Sequence, residues 1–357
     1  MNTYIKFLSL NYIKAIIYVF AIMLSLVVIL NILTEIEFFK NYEVNTYLPF
    51  YLAVLNSLDL IFEMFPFIFL ISTQVFFVNL FTDNQINIFK YSGLKNSNIV
   101  TILGFLTFLV GILIITIFYG LSSNLKNLYL EHKNKYSSDN KYLAVVTNNG
   151  LWIKDVLDEK TLFVNATKIE NNFLIDVNIS EFNKNFDLLR VISSKKVNIN
   201  SNNWILNEVK LIDNNNSKEL DEIQLFSNFD FKKINSLFSN LSALSILELI
   251  ELRTNYKKIN YSTIEIDVQL LKLFSYPIYF TLMTILSSII MFNTKKFKSN
   301  SLKITIGLFF CVVIYYMNNL FYVLGNTEKI APMISVWITL ATIFFINSIL
   351  VLKINEK

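Results

Sequence analysis

Histidine and cysteine, the side chains most used as metal ligands and nucleophiles, are scarce in this chain. His132 is its single histidine and Cys311 its single cysteine, and a histidine standing alone is read as excluding a metal cluster and a Ser-His-Asp triad. Neither G-x-x-x-x-G-K-S/T nor G-x-G-x-x-G occurs, and there are only seven glycines. No known loop design cradles a nucleotide phosphate here, so any ATP is hydrolysed by a partner. The chain reads as a non-enzyme with no cofactor. Asp59, Glu63 and Lys272 border apolar runs and read as side chains reaching the headgroups. Gln74, deeper within a run, reads as an interhelical hydrogen bond, and Cys311 as a small packing residue.

The most informative polar stretch is "TDNQINIFKYSGLKNSN", residues 82–98, set between two very apolar runs. Asp83, Gln85, Asn87, Lys90 and Ser92 interleave with Ile86, Ile88, Phe89 and Leu94, and Gly93 is a helix stop. The pattern predicts a short helix parallel to the membrane. It either lies passively in the interface or inserts an apolar residue into a partner's groove.

The elements that position this segment follow from composition. In 357 residues, 54% are hydrophobic and 33 are Phe, and the mean hydropathy is +0.48; a soluble domain cannot bury that much apolar surface. A span needs about 20 apolar residues. Six runs qualify, near 15–33, 64–81, 99–120, 273–292, 304–324 and 332–352. The first lacks a small-residue cleavage site and reads as a retained span.

Lysines in short loops set the orientation. Lys6, Lys14, Lys90, Lys95, Lys295, Lys296, Lys298, Lys303, Lys353 and Lys357 fall on one side, whereas Lys40 and Lys329 are accompanied by Glu35, Glu37, Glu43 and Glu328 on the other. Both termini and residues 82–98 are therefore expected in the cytoplasm, and the segment after residue 120 outside it.

That outer segment is polar and rich in short alternating runs. "NFLIDVNI" puts Phe173, Ile175, Val177 and Ile179 on one face, and "YLAVVTNNGLWIKD" reads as a hairpin turning at Asn149-Gly150. With "TLFVNATKI", "DLLRVI", "KKVNI", "NWIL" and "EVKLI", these runs predict a sandwich or jelly roll of about eight short strands. Ser245 with Glu248 and Ser262 with Glu265 form capping boxes that mark the return to helix. Asparagine runs and N-x-S/T triplets reflect compositional bias and carry no functional weight. The expected fold class is an α+β membrane protein with six transmembrane helices in a 3+3 arrangement. A β-jellyroll-like extracytoplasmic domain sits between helices three and four. The expected boundaries are 1–120, 121–240 and 241–357.

This order of elements, together with "EMFPFIFLISTQVFFVNLFTDNQINIFKYSGLKN", "GLWIKD", "KLFSYPIYFTLM" and "APMISVW", resembles the LptF/LptG permeases of the lipopolysaccharide-export ABC transporter over nearly the whole chain. Pro66, Gln85, Lys90, Gly93, Pro277, Pro332 and Trp337 occupy matching places. "YPIYFTLM" and "PMISVW" look more like the LptG branch.

The resemblance implies an inner-membrane permease that pairs with an LptF-like second permease. A cytoplasmic LptB-like ATPase dimer would drive it to move lipopolysaccharide onto an LptC-like periplasmic bridge, with no role for nucleic acid. It implies a coupling helix at Asp83, Gln85, Ile86, Phe89, Lys90, Gly93 and Leu94, a lateral gate at spans one and five, and an acyl-chain groove in the β domain. Family members tend to carry basic residues at the outer end of span one, where this chain has "TEIEFFK". Lys40 and Lys329 are left as the candidate phosphate contacts, and a less phosphorylated glycolipid stays open as cargo. A lipoprotein-release permease, with four spans, contradicts the hydropathy. The alternative of a receptor or scaffold with a β sensor domain leaves six spans and a docking helix unexplained.

Overall fold

Backbone groups in hydrocarbon must pair within their own segment, so apolar runs of this length fold as helices. The computed structural model describes residues 3–134, 136, 151–157, 160–170, 172–184, 186–213, 216–231, 234, 240–258, 262–294, 299–352 and 354. Two compact units emerge: Met1–Tyr129 with Leu241–Leu249 and Thr263–Lys357, and Leu130–Asn240 with Ile250–Ser262.

The described helices are α1 (Thr3–Phe39), α2 (Tyr47–Glu63), α3 (Phe65–Thr82), α4 (Gln85–Tyr91), α5 (Asn96–Leu113), α6 (Tyr119–Asn134), α7 (Ile246–Lys258), α8 (Ile264–Asn293), α9 (Asn300–Asn326) and α10 (Pro332–Leu352). A π-helical stretch, Ile114–Phe118, joins α5 to α6. Among the described residues, six helices are long and apolar enough to cross a membrane: α1, α3, the continuous α5–α6 rod, α8, α9 and α10. They are the six runs read from the sequence. The first capping box forms as expected, with Ser245 N–H donating to Glu248 Oε2 at 2.8 Å and Glu248 N–H to Ser245 Oγ at 3.4 Å. At the second, the N-cap falls one residue later than the Ser262–Glu265 spacing implies, on Thr263, whose hydroxyl donates to Asp267 at 2.9 Å.

In the first unit α8 is the axis. It packs against α3, α5, α9 and α10, and 78% of its apolar window is buried, against 22% for α1 and α9. Lipid tails are as apolar as Leu, so close packing and polar contacts must hold the helices together. Three glycines allow that approach. A Cβ on Gly111 of α5 would lie 3.0 Å from Pro277 Cα of α8, one on Gly325 of α9 would lie 2.5 Å from Ser335 Oγ of α10, and one on Gly307 of α9 would lie 1.9 Å from Gln74 Nε2 of α3. Gln74 is fully buried and donates to the Lys303 carbonyl at 3.0 Å, the interhelical bond its depth suggested. A second fastening is made of hydroxyls. Tyr12 Oη of α1 lies 3.1 Å from Thr73, 3.0 Å from Thr107 and 3.0 Å from Thr284, joining four helices at one fully buried point. Ser287 Oγ donates to Leu70 O at 2.8 Å and Asn347 Nδ2 to Leu282 O at 2.9 Å. Cys311 is buried, as a packing residue should be.

The second unit contains one six-stranded antiparallel sheet among the described residues, in sequential order: β1 (Leu151–Val156), β2 (Lys160–Glu170), β3 (Phe173–Asn183), β4 (Leu188–Asn198), β5 (Asn203–Asp213) and β6 (Asn216–Phe226). Fewer and longer strands appear than the sequence pattern gave, because "DLLRVI" with "KKVNI" is the single strand β4 and "NWIL" with "EVKLI" is the single strand β5. The Asn149-Gly150 turn and the strand before it lie outside the described residues.

The face assignment for β3 also changes. Asp176 has φ 49° and Glu208 has φ 50°, in the left-handed region that non-glycine residues seldom occupy. Burial switches phase there: Leu174, Val177, Ile179 and Glu181 point inward on β3, and Trp204, Leu206 and Val209 on β5. Phe173 and Ile175 thus leave the face that Val177 and Ile179 occupy. The pairing skips this level on every strand from β2 to β6, passing from Ile175–Lys196 to Val177–Ser194 and from Asn207–Lys196 to Val209–Ser194.

The inward face is a core centred on Trp204, whose indole N–H donates to Phe229 O at 2.7 Å. Fully buried Asp155 of β1 accepts from Ser227 Oγ at 2.7 Å, from Asn228 N–H at 2.9 Å and from Asn228 Nδ2 at 2.9 Å. The sheet therefore curls until its first strand meets the chain leaving its last. Glu181 is also buried, held by Lys160 at 2.7 Å and Arg190 Nε at 2.6 Å. Burial by itself raises its pKa, but the hydrogen bonds and charges of Lys160 and Arg190 outweigh it and hold the carboxyl below its ordinary value. A folded pKa below the unfolded one contributes stability above the ordinary glutamate value of about 4.3, and that contribution is lost as pH falls through the folded pKa. The urea midpoint followed at buried Trp204 is expected to drop across that acid window, and Glu181→Gln to flatten the drop. An unchanged slope in the variant would remove this role for Glu181.

Candidate functional site

The polar segment between the second and third spans folds as predicted, into the seven-residue helix α4. Asp83 caps α3 and accepts from Gln85 Nε2 at 3.2 Å. Asn84, at φ 56°, turns the chain into α4. The exit is a Schellman motif: Leu94 N–H bonds Phe89 O at 3.0 Å, Gly93 N–H bonds Lys90 O at 3.0 Å, and Gly93 sits at φ 80° with nothing near its missing Cβ. Glycine is thus needed for its backbone angle, since a side chain would have room.

The candidate residues divide by burial. Ile86 is only 1% exposed and anchors the helix, whereas Phe89 is half-buried, its ring 6.1 Å from Phe7 at the start of α1. A groove of 910 Å³ runs between the start of α1 and α4, lined by Tyr4, Phe7, Gln85, Ile88, Phe89, Gly93 and Leu94 among others. The apolar side chains that α4 presents outward are Ile88, 60% exposed, and Tyr91, 91% exposed, with Lys90 and Lys95 exposed beside them. Tyr91 was not singled out by spacing. The available signal was a helix this short carrying more apolar residues than one face can bury. Chemically, α4 is an apolar knob with a basic surround, resting on a groove floored by aromatic rings.

At the opposite end of the spans, Lys40 follows α1 and Lys329 lies in the α9–α10 turn, next to Glu328 at φ 61°. Both are exposed, and no side-chain contact brings them together among the described residues. Two ion pairs tie α2 to α6 and α8. Lys126 of α6 lies 3.2 Å from Asp59 of α2, and Lys272 lies 3.5 Å from Glu63. Asp59 is 7% exposed. Burial raises its pKa above the usual aspartate range, and the Lys126 charge only partly opposes this. Asn56 Nδ2 donates to Asn31 Oδ1 at 3.2 Å, and Asn31 Nδ2 to Ala53 O at 2.7 Å. Tyr129 Oη donates to Glu35 at 2.9 Å. Lys126, the cation of this cluster, is missed by a reading of the apolar runs because its partners lie far away in the chain.

Two comparisons with known proteins bear on this arrangement. Residues 8–353 match the family model described as lipopolysaccharide export system permease LptF/LptG, which treats the two branches together. No curated protein matches the chain.

Proposed function

The chain belongs to the LptF/LptG family of lipopolysaccharide-export permeases, and from that premise we propose that it is the membrane subunit through which a separate cytoplasmic ATPase dimer drives glycolipid out of the outer leaflet of the inner membrane. The ATPase side is α4. What supports this reading above all is the outward presentation of Ile88 and Tyr91 on a helix anchored by Ile86 and stopped at Gly93. A small apolar knob on a rigid stub is how a membrane helix pair receives force from a soluble partner. The stub rests on the first turns of α1 through Phe7 and Phe89, so displacement of α4 is passed to α1.

In this reading both termini face the cytoplasm, and the curled sheet of the second unit lies in the periplasm and hands cargo to an LptC-like bridge. A second, LptF-like permease completes the cavity, with this chain on the LptG side. Asp83, Gln85 and Lys90 orient the knob and supply polar contacts at its rim. Lys40 and Lys329 meet phosphate on the cargo.

Replacing Ile88 and Tyr91 together by Asp, or combining Gly93→Pro with Phe89→Asp, is expected to cut copurified ATPase by at least about tenfold, since a buried apolar anchor typically contributes 2 kcal/mol or more to an interface. Membrane insertion should be intact. Undiminished ATPase recovery with both variants, or cysteine labelling that puts residues 82–98 on the same side as the β unit, would overturn the reading.

A further inference from the structure

Where the end of α3, the start of α4 and the first turn of α9 meet, a pocket of 300 Å³ opens between Phe81, Asn84, Asn87, Asn300 and Lys303. Its floor is Lys303, only 4% exposed. An ammonium held out of water needs a counter-charge or a full set of acceptors. Lys303 has neither among the described residues. Its Nζ donates one long hydrogen bond, 3.3 Å, to Asn300 Oδ1, and otherwise lies 5.4 Å from the Phe81 ring centroid. Two of its three donors are left over. At the rim, Asn84 and Asn87 are exposed, and no side-chain hydrogen bond engages their amides among the described residues. The site thus combines a buried cation with neutral amide donors and no carboxylate in its lining.

We infer that this pocket binds the phosphate of an anionic phospholipid from the leaflet on the α4 side. The chemistry required is an oxyanion that takes two donors from one ammonium and one from each of two amides. A lipid is the source the surroundings favour. The pocket sits at the end of two spans, where headgroups lie, and exposed apolar residues of α9, Leu302 and then Phe309, run away from it toward the hydrocarbon for an acyl chain to follow. The inference needs only that α3 and α9 cross the membrane, so it stands or falls separately from the ATPase reading.

The test is lipid retention by the full-length chain, read by native mass spectrometry after incubation with dioleoylphosphatidylglycerol or dioleoylphosphatidylcholine. The wild-type chain should keep one phosphatidylglycerol and little phosphatidylcholine. Lys303→Met should lower phosphatidylglycerol retention roughly tenfold, the loss expected for a hydrogen bond to a charged group. Because a buried substitution can disturb folding, Asn87→Asp provides a second variant: it leaves Lys303 in place, sets a carboxylate at the exposed rim, and should reduce retention as strongly with an unchanged melting temperature. Equal retention of both lipids, or retention unaffected by either variant, overturns the proposal. So does displacement of phosphatidylglycerol by inorganic phosphate alone, which would identify a free anion as the ligand. Loss of copurified ATPase from Lys303→Met with normal lipid retention would assign the pocket to a partner carboxylate instead.

Discussion

Gly307→Val is expected to separate α9 from α3 and to be among the most destabilising single substitutions in the membrane unit. The space a Cβ would take at Gly307 is already filled by the amide of Gln74, 1.9 Å away. That amide is fully buried and, among the described residues, donates to the Lys303 carbonyl alone, while Gln74 Oε1 has no partner there. A larger residue must therefore either expel Gln74 and break that bond or push the whole helix outward. Overpacking typically costs 1–3 kcal/mol and a stranded buried amide about as much again, so a loss of roughly 2–5 kcal/mol is expected. The control is a cycle with Gln74→Ala. Once the amide is gone, the valine has room, and the double variant should be more stable than the sum of the two single losses predicts. Melting temperatures in detergent decide the matter, and strictly additive losses would mean that the two side chains do not share the slot.

The second large effect is expected at Lys126→Met. Asp59 is buried, and burial holds its pKa above the aspartate range in spite of Lys126, 3.2 Å away. Removing the lysine strands a carboxylate in a site that water scarcely reaches. Breaking a buried pair from one side costs about 3–5 kcal/mol. The sign of the pH dependence follows from the direction of the shift. A folded pKa above the unfolded one means that the folded state holds the proton more tightly, so stability falls as pH rises from the ordinary aspartate value through the folded pKa. Without the ammonium that folded pKa moves further up. Lys126→Met should therefore be markedly more stable at pH 5 than at pH 8, and Lys126→Met with Asp59→Asn should recover most of the loss at pH 8. A variant equally damaged at both values would show that Lys126 acts through packing alone.

What the sequence disclosed, and what it withheld, follows the range of each interaction. The six spans were legible because each is a run of local composition, and the α4 stop was legible because Gly93 closes the interleaved polar and apolar stretch that begins at Asp83. Gln74 was legible as a hydrogen-bonding residue, because an amide at that depth has little else to do. Its slot was not, since Gly307 lies on another helix, far along the chain. The pairing of Asp59 with Lys126 was hidden for the same reason, and without Lys126 the carboxylate looked like a snorkelling end group. The phase change in β3 and β5 had no clear signal of its own: aspartate tolerates a positive φ better than most residues, but neither Asp176 nor Glu208 has a neighbouring glycine that marks the reversal. Lys303 reads in sequence as one more lysine of a basic loop, because α3, which helps to bury it, is distant in the chain.

The level at which Asp176, Lys195 and Glu208 stand side by side is in effect a registration mark. A plain pleated pair of strands slipped by two residues still presents the same faces and can lodge there as a near-native error. Here such a slip would carry one strand's reversal past its neighbours', so that each strand would bury charged residues on one side of the misalignment and expose core residues on the other. Misthreaded sheets are thereby made conspicuously unstable, and the fold of this unit is selected by a defect its strands hold in common.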